Sequence, residues 1–553
     1  MIRSRWAVLF TVLAVLAGVM GAPIASATSR DPGDVGIAAR FRSQALQWQP
    51  CFPQVPPGLP PGTERLECSV VRAPLDWHHQ DRGTVDLAVS RLRPVGTEPV
   101  NLLLTNPGGP GEEGLIVPLL FLDPAHSAVA ESSEIVGVDV RGTGRSTTIT
   151  CGGSVIGRER DVRDRSGANV SAMLDSAENQ AKACQQESEP VGDFITTAQT
   201  VKDFDLIRTL LGHSTVNWFG FSAGTWLGAH YATAYPSRAG RFVFDSNTLF
   251  TGTWQQFYAL QPMGFERRFR QDFLPWAAKY DALYDLGSTG EQVRGSYERI
   301  RAFLAEHPQH LGDQILYAGT LDSIVAGNLY SKRNFLVLAQ LLAQLKSVSG
   351  PPPAKMRFPV SVAEAAARAK TASRLPGAKA GAPDAVDATF YTIGCNDTRW
   401  YGNRGTLTVS SGIQGRLFPL IGWRTIAEPC VFWQRPAGEE LPKPTGRGVP
   451  SVLMIQSTHD PATPWEGAQL AHANFAGSRL LPVVGEGDHM LYGSGNPCVD
   501  HAVDSYLAAD TLPPRDASCA GTALPDPMIP GTGSGNTDTV GLPRLATLAG
   551  VNR

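Results

Sequence analysis

The sequence has little charge for its length and no excess of positive charge. Across 553 residues, 48 Lys and Arg are set against 51 Asp and Glu, and charged residues make up 18% of the chain. With so few cations available to neutralise phosphates, nucleic-acid binding is disfavoured as the main role. Hydrophobic residues reach 42%, which allows a large core and excludes disorder throughout the chain.

No apolar run after the N-terminus is long enough to span a membrane. The N-terminal run Trp6–Met20 follows Arg3 and Arg5 and precedes Ala25-Ser26-Ala27. This order is typical of a secretory signal peptide, and the run is shorter than the roughly 20 residues of a membrane anchor. We therefore predict a signal peptide over 1–27, a linker over 28–45, a secreted protein, and no stable membrane anchor after cleavage.

No C-x-x-C motif occurs among the eight cysteines, which disfavours a zinc site. In a secreted chain these cysteines indicate up to four disulfides. Nearest-neighbour pairing, one of many possible connectivities, predicts the bonds Cys51–Cys68, Cys151–Cys184, Cys395–Cys430 and Cys498–Cys519. His307 and His310 have an H-x-x-H spacing, but Pro308 between them favours a loop. We predict no metal site and no cofactor.

Short apolar runs alternate with segments of helical spacing. The runs are Val100–Leu104, Ile135–Val140, Val216–Phe219 and Arg241–Phe244, and helical spacing covers Val201–Leu211 and Ala223–Tyr235. This alternation predicts an α/β fold with a mostly parallel sheet, whose N-terminal part spans 46–250. Residues 251–446 are helix-rich and are interpreted as a cap inserted into the sheet domain. Strand character returns over 447–523, and the Pro/Gly/Thr-rich tail 524–553 is predicted to be disordered.

Gly220-Phe221-Ser222-Ala223-Gly224 is a G-x-S-x-G motif between a predicted strand and a predicted helix. That position is where a nucleophile elbow exposes its serine at the end of a sheet strand. The flanking glycines permit a sharp turn and close packing of helix on strand. The alternative is that Ser222 only caps the helix.

A serine nucleophile needs a base, and the base needs a carboxylate to orient it. Asp460 and His489 each follow a predicted strand and come in the order Ser, acid, His that this architecture uses. Asp245 and Asp488 are rival acids, and His459 and His501 are rival bases, with poorer fit to strand end and chain order. A histidine of ordinary pKa, about 6.5, predicts activity rising through about pH 6–7.

The negative charge that develops on the attacked carbonyl oxygen needs N–H donors. We predict that they are the amides of Ala223, after the nucleophile, and of Gly109, in the loop Asn106-Pro107-Gly108-Gly109-Pro110-Gly111. No G-K-[ST] follows this loop, so a phosphate-binding role is disfavoured. The alternative is a simple tight turn.

These motifs together resemble the secreted bacterial tripeptidyl aminopeptidases, relatives of proline iminopeptidases in the α/β-hydrolase superfamily. The resemblance covers most of the chain, and it is carried by Asn106–Gly111, Asp139–Ser146, Gly220–Gly224, Cys395-Asn396-Asp397, Asp460–Pro464 and the closing segment Cys498–Cys519. It implies an α/β-hydrolase fold with a large helical lid, a triad of Ser222, Asp460 and His489, and removal of short peptides from free N-termini.

Three positions depart from the family pattern. Ala223 stands where an aromatic residue is usual, Glu112-Glu113 where small residues are usual, and Asp488 where Gly is usual. The first two bear on the substrate class, because G-x-S-A-G is also common in esterases and lipases. A secreted carboxylesterase or lipase with the same triad is therefore the alternative, and a secreted binding protein on an inactive hydrolase scaffold is a third hypothesis.

An exopeptidase must recognise the free α-ammonium group of its peptide, which calls for a carboxylate. The candidates are Asp397, Glu112 and Glu113. Asp397 is favoured because the resemblance places its motif in the lid, and a solvated surface carboxylate is the alternative. We expect peptides with free N-termini as partners and a monomer.

Overall fold

The computed structural model describes residues 31–153, 159–311, 314–348, 382–434, 439, 442–515 and 517–528. The predicted signal peptide therefore lies outside the described residues. The strands are β1 Gln49–Pro50, β2 Glu67–Pro74, β3 Thr84–Leu92, β4 Asn101–Asn106, β5 Ser133–Val138, β6 Val216–Ser222, β7 Ala239–Asn247, β8 Gln309–Leu311, β9 Gln314–Leu316, β10 Val452–Ser457, β11 Ser478–Val484 and β12 Cys519–Ala520.

The helices that precede the predicted cap are α1 Ala39–Arg42, α2 Ser127–Ser132, α3 Gly167–Glu187, α4 Thr197–Leu210 and α5 Ala223–Ala234. Those of the cap are α6 Trp254–Tyr258, α7 Gln261–Arg268, α8 Leu274–Lys279, α9 Asp281–Tyr284, α10 Gly290–Glu306, α11 Ala318–Asn328, α12 Phe335–Val348, α13 Ala385–Asp397 and α14 Arg404–Leu417. A π-helical turn, Phe269–Phe273, joins α7 to α8. The last two helices are α15 Trp465–Asn474 and α16 Pro497–Ala509.

Ten strands form one sheet in the order β1-β2-β3-β5-β4-β6-β7-β10-β11-β12. Pairs from β5 onward in this order are parallel, and the pairs of β1, β2 and β3 are antiparallel. The central strands β5 and β10 are buried along their whole length, as expected for parallel strands covered on both faces. The prediction of an α/β fold with a mostly parallel sheet is confirmed.

Alternate residues of the strands feed two separate cores. On β4, Leu102 and Leu104 pack into the core on one face of the sheet, and Leu103 packs into the core on the other. A third apolar cluster is built mainly from cap residues between Phe265 and Leu420. The helix-rich segment therefore has a core of its own, which fits its interpretation as an insertion over the sheet.

Two segments differ from their predicted character. Within the predicted linker, Phe41 of α1 is buried, and Gly33 donates its N–H to the carbonyl of Ala234 at 2.8 Å. Residues 31–45 therefore pack on the sheet domain. At the start of the predicted disordered tail, Trp276 donates its indole N–H to the Pro525 carbonyl at 2.7 Å, so residues 524–528 lie against the cap. The tail beyond 528 lies outside the described residues.

Four disulfides join the predicted pairs, and no free cysteine remains. The bond Cys51–Cys68 ties the loop after β1 to β2, and Cys498–Cys519 ties α16 to β12. Both bonds therefore lie at the edges of the sheet. Across the described ranges, no helix combines the length and apolarity that a bilayer crossing requires.

Candidate active site

Ser222 ends β6 at a strained turn into α5. Its backbone angles, φ 56° and ψ −129°, are rare for a residue with a side chain. A Cβ at Gly224 would lie 2.4 Å from the Asn106 carbonyl oxygen, and one at Gly220 would lie 2.5 Å from the Gly224 carbonyl oxygen. Both glycines are therefore required by close packing, as the motif predicts. Within the described part of the chain, the half-buried Ser222 hydroxyl has no hydrogen-bond partner.

The glycine-rich loop after β4 packs directly on this elbow. A Cβ at Gly108 would lie 2.6 Å from the Ala223 nitrogen and 2.9 Å from the Ser222 Cβ. Gly108 and Gly109 both have positive φ, 92° and 102°, which favours glycine. Asn106 Oδ1 accepts the Gly108 N–H at 3.0 Å and so fixes the turn. Gly108 therefore packs against the amide of Ala223, and Gly109 is the next residue of the loop.

Asp139 anchors the far end of the glycine-rich loop, a role that the motif alone did not reveal. Its Oδ1 accepts the N–H groups of Gly114 at 2.8 Å and Leu115 at 3.2 Å, and its Oδ2 accepts that of Arg145 at 2.8 Å. Burial raises the pKa of Asp139 to about 6, although these hydrogen bonds and the Arg145 charge oppose the shift. The segment Asp139–Ser146 therefore supports the loop at the site.

Asp460 and His489 meet at the carboxyl ends of β10 and β11. The His489 Nδ1 lies 3.1 Å and 3.0 Å from the two carboxylate oxygens of Asp460, and both residues are buried. Asp460 Oδ1 also accepts the N–H groups of Ala462 and Thr463, and its Oδ2 accepts the Thr463 hydroxyl at 2.9 Å. The carboxylate is held rigidly, and it fixes the orientation of the imidazole.

Topology places this pair on one side of Ser222 and the glycine-rich loop on the other. In the sheet, β4 flanks β6 on one side, and β7, β10 and β11 follow in that order on the other. Asp245 of β7 pairs with Phe221 of β6. It lies close enough to His489 for the charge of His489 to act on the pKa of Asp245. The elbow, the glycine-rich loop and the Asp460–His489 pair therefore share one edge of the sheet.

The rival acid Asp245 binds the backbone of the histidine loop, residues 490–492 directly after His489. Its Oδ2 accepts the N–H groups of Leu491 and Tyr492, both at 2.8 Å, and Ser246 Oγ accepts that of Met490 at 2.8 Å. Burial raises the pKa of Asp245 to about 6. Asp245 positions residues 490–492, whereas Asp460 contacts the imidazole itself.

The other rivals have different surroundings. His459 Nδ1 lies 2.9 Å from Asp272 Oδ1, and His501 is exposed on α16. Asp488 accepts hydrogen bonds from Arg268 Nη2 at 2.6 Å and from the Lys332 N–H at 2.7 Å, both in the cap. None of these three is placed as Asp460 and His489 are, facing each other at the edge that carries the elbow.

The cap reaches His489 through Tyr330. The backbone N–H of His489 donates to the Tyr330 carbonyl at 2.8 Å. The Tyr330 ring meets the imidazole edge-on, with 5.2 Å between the ring centroids. The cap therefore forms one wall of the site beside the imidazole.

The three carboxylates predicted for α-ammonium binding lie in different places. Asp397 Oδ1 accepts the Thr197 N–H at 2.7 Å, and its Oδ2 accepts the Thr197 hydroxyl at 2.6 Å and the Trp254 indole N–H at 3.2 Å. It is buried, not the solvated carboxylate of the alternative reading, and burial raises its pKa to about 6. Half-buried Glu112 lies beside Gly109, whose added Cβ would lie 3.0 Å from the Glu112 Cγ. Glu113, also half-buried, lies near enough to Arg145 for its charge to oppose the lowering of that guanidinium's pKa by burial.

The described ranges contain no cluster of three or more metal-ligating side chains.

Comparison with known proteins agrees with this arrangement. Residues 101–280 match the alpha/beta hydrolase fold family, and residues 419–519 match the family described as TAP-like protein. The chain is 31% identical to a tripeptidyl aminopeptidase of Streptomyces lividans over 93% of this chain and 96% of that protein. It is 24% identical to the serine protease Hip1 of Mycobacterium tuberculosis, over 93% and 97%, and 26% identical to carboxylesterase B of the same organism, over 90% and 94%. The predicted α/β-hydrolase fold and the predicted resemblance are confirmed, and the chain belongs to the tripeptidyl aminopeptidase family of serine hydrolases.

Proposed function

We propose that the protein is a secreted serine exopeptidase that hydrolyses peptide bonds near free N-termini, with Ser222 as nucleophile, His489 as base and Asp460 as the orienting acid. The observation that carries the proposal is the buried Asp460–His489 pair, at the same sheet edge as the strained Ser222 elbow. The serine peptidases among its relatives support the reaction class, and the disulfides fit an oxidising compartment.

The proposed reaction begins at Nε2 of His489. Because Nδ1 keeps its proton and donates a hydrogen bond to Asp460, Nε2 carries the lone pair and can take the proton of Ser222 as Oγ bonds to the peptide carbonyl carbon. His489 then gives this proton to the leaving amine as the C–N bond breaks, which leaves an acyl-enzyme. A water molecule deprotonated by His489 releases the acyl group. The Ser222–His489 hydrogen bond is expected to form when substrate binds, since such contacts tighten in the substrate complex.

The amides of Ala223 and Gly109 are proposed to hold the oxyanion. The close approach of Gly108 to the Ala223 nitrogen supports this, because it places the next amide of the loop beside the elbow. Loss of one such donor typically raises the barrier by about 3 kcal/mol.

Glu112 is the carboxylate best placed for the substrate α-ammonium group. Its half-buried side chain lies beside Gly109, on the glycine-loop side of Ser222, whereas Asp397 is buried against Thr197 and Trp254. Glu112→Gln should raise KM for peptides with a free N-terminus and leave their N-acetylated forms unaffected. Glu113→Gln, one residue along the same loop, is the matched variant, and an equal effect of both would contradict the assignment to Glu112.

The nucleophile is tested with a fluorophosphonate probe and a free tripeptidyl anilide. Ser222→Ala should abolish labelling and hydrolysis, and Asp460→Asn should reduce hydrolysis by at least a hundredfold. His501→Ala, on the exposed face of α16, is the control and should retain wild-type rates. Labelling that survives Ser222→Ala would overturn the proposal.

A carboxylesterase is the second candidate, favoured by Ala223 at the elbow and by the carboxylesterase B relative. The two functions separate on one panel: free tripeptidyl anilides, the same compounds N-acetylated, and short-chain p-nitrophenyl esters. An exopeptidase loses most of its turnover on acetylation. If acetylation leaves turnover unchanged while the esters are cleaved faster, the esterase function replaces the proposed one.

A further inference from the structure

A short segment of the cap, Tyr330–Lys332, binds the backbone and side chains at and just before His489. The Tyr330 carbonyl accepts the backbone N–H of His489 at 2.8 Å. Two residues further along, the backbone N–H of Lys332 donates to Asp488 Oδ1 at 2.7 Å. These two hydrogen bonds fix the segment, and with it Tyr330, relative to the imidazole.

Helix α7 covers the loop that carries the proposed acid and meets Tyr330 from the other side. A Cβ at Gly264 of this helix would lie 2.5 Å from the Pro461 carbonyl oxygen, so the helix packs tightly on that loop. The rings of Phe265 and Tyr330 have 5.6 Å between their centroids. Tyr330 is therefore held between Phe265 on one side and His489 on the other.

Tyr330 is the residue of this segment that a substrate can touch. Ser331 and Lys332 are buried, whereas Tyr330 is half-buried. Its two ring neighbours, His489 and Phe265, are both buried, so the exposed part of Tyr330 is turned away from them. The cap therefore presents an accessible aromatic side chain in direct contact with the imidazole.

The proposed reaction places a particular part of the substrate on this side of the nucleophile. His489 must give its proton to the departing amine, so the amine nitrogen lies within hydrogen-bond reach of the imidazole. The glycine-rich loop lies on the opposite side of Ser222, towards β4. Only 5.2 Å separates the centroids of the imidazole and the Tyr330 ring. The residue that carries the departing amine, called the leaving residue below, can therefore reach Tyr330 with its side chain.

We propose that Tyr330 determines specificity for the leaving residue and favours an aromatic or large aliphatic side chain there. Contact between two aromatic rings changes binding by about two- to tenfold beyond the burial of their surface. The charged groups beneath the segment, Arg268 and Asp488, bind each other at 2.6 Å and are buried, so neither is available to a charged leaving residue. The inference rests on the proposed function and adds to it the class of residue on the leaving side.

The test varies the leaving residue while the acyl part of the substrate stays the same. Amidated tetrapeptides Ala-Ala-Ala-Xaa with a free N-terminus, where Xaa is Phe, Leu, Gly, Lys or Glu, are cleaved by the wild type, Tyr330→Phe, Tyr330→Leu and Tyr330→Ala. All three variants keep the backbone carbonyl that binds His489, and the first two keep an apolar side chain of similar size if Ala does not fold. Tyr401→Leu removes the same side chain from a cap position that is 68% exposed, and it serves as the control.

We expect the wild type to cleave the Phe peptide with a kcat/KM about tenfold or more above that of the Gly peptide. Tyr330→Phe keeps the ring and should preserve this preference. Tyr330→Leu loses the ring contact and should lower the Phe-to-Leu ratio about threefold or more. Tyr330→Ala should lower the Phe-to-Gly ratio about tenfold. Tyr401→Leu should leave every ratio unchanged.

Hydrolysis of the acyl-enzyme separates this role from a purely structural one. The leaving residue has departed before water attacks, so a residue that contacts only the leaving side does not act on this step. The p-nitrophenyl ester of Ala-Ala-Ala forms the same acyl-enzyme, and its kcat reports the hydrolysis of that intermediate. Tyr330→Leu should change this kcat by less than about twofold. A displaced imidazole would instead slow the ester and every peptide by the same factor.

Three results overturn the inference and leave the proposed function standing. The first is a set of leaving-residue ratios that no Tyr330 variant changes. The second is an equal fall for the ester and all peptides, which would make Tyr330 only a support for His489. The third is a wild-type preference for Lys or Glu. If fluorophosphonate labels Ser222 but the free tetrapeptides all stay intact, the proposed function fails and the inference falls with it.

Discussion

Thr463 is the residue that links the proposed acid and base most directly. Its hydroxyl donates to Asp460 Oδ2 at 2.9 Å and lies 3.3 Å from His489 Nδ1, while its N–H donates to Asp460 Oδ1 at 2.8 Å. The backbone bond would survive any substitution except proline. The hydroxyl therefore offers a way to loosen the carboxylate without removing it.

We predict that Thr463→Val lowers kcat about tenfold with little change in KM. A hydrogen bond to a charged group is worth about 1.5 kcal/mol at the low end, and that energy corresponds to about a tenfold change in rate. Steady-state kinetics on a free tripeptidyl anilide measure the effect. Thr463→Ser keeps the hydroxyl and should restore most of the rate. A loss of equal size in the Ser variant would show that the γ-methyl, not the hydrogen bond, matters.

At the scale of elements, the histidine loop is held by the end of β7. Asp245 is fully buried and has a pKa of about 6 in the folded protein, above its ordinary 3.8. Burial is the main cause, and the charge of His489 and the hydrogen bonds oppose it. A carboxyl group whose pKa is raised by folding contributes its full stabilisation at pH values below its pKa in the unfolded chain. That contribution is lost as the pH rises from there through about 6, the pKa in the folded protein.

We predict that Asp245→Asn makes stability less dependent on pH. The amide keeps an acceptor for the Leu491 and Tyr492 N–H groups but cannot ionise. Between pH 4 and pH 7 the wild type should lose about 2 kcal/mol more stability than the variant, because a shift of roughly two pKa units is worth about 2.7 kcal/mol in full and part of it is already lost at pH 4. Urea unfolding at both pH values measures this, and parallel pH profiles of the two proteins would refute it. Asp245→Ala, which removes the acceptor, should destabilise at both pH values.

The elements that could be predicted from sequence are those with one dominant pattern. β5, β6 and β10 lie in the middle of the sheet, and their short, mostly apolar runs identify them. The 21-residue helix α3 was missed, because only a narrow stripe that includes Met173, Leu174 and Ala177 is buried and most of its surface is polar. The strand β2, next to the short edge strand β1, is also not predicted.

In the candidate site too, some residues could be predicted from sequence and others could not. Ser222, Asp460 and His489 could be proposed because local motifs and chain order identify strand ends. The surroundings of Asp397 could not, because its partner Thr197 lies 200 residues away in sequence. Contacts between remote helices leave no periodic signal in the chain.

At the scale of the whole molecule, the cap is fastened to the sheet domain on both sides of the site. On one side, Asp397 of α13 binds Thr197 at the start of α4. On the other, Arg268 of α7 binds Asp488, next to His489, and Lys332 pairs with Glu486. All five of these charged side chains are buried, so the cap is built as a fixed wall of the site.

Arg268 is one of the buried cap residues that hold the histidine side. Its guanidinium donates to Asp488 and Asp272, both at 2.6 Å, and its side chain is 1% exposed. Arg268→Met leaves the buried Asp488 and the half-buried Asp272 without that partner, and removal of one member of a buried pair destabilises by about 3–5 kcal/mol. We predict a loss of stability in this range, with a fall in kcat, because Asp488 adjoins His489.

The double variant Arg268→Met/Asp488→Asn tests whether this effect passes through the ion pair. Neutralising Asp488 removes one of the stranded charges, so the double variant should be more stable than Arg268→Met alone by at least 1 kcal/mol, a coupling typical of contacting residues. Urea unfolding and kcat of the wild type, Arg268→Met, Asp488→Asn and the double variant complete the cycle. Arg270→Met, two residues along and half-exposed beside Glu266, should change stability by less than about 0.5 kcal/mol. Additive effects of the two substitutions would mean that the cap is not anchored to the histidine loop through this pair.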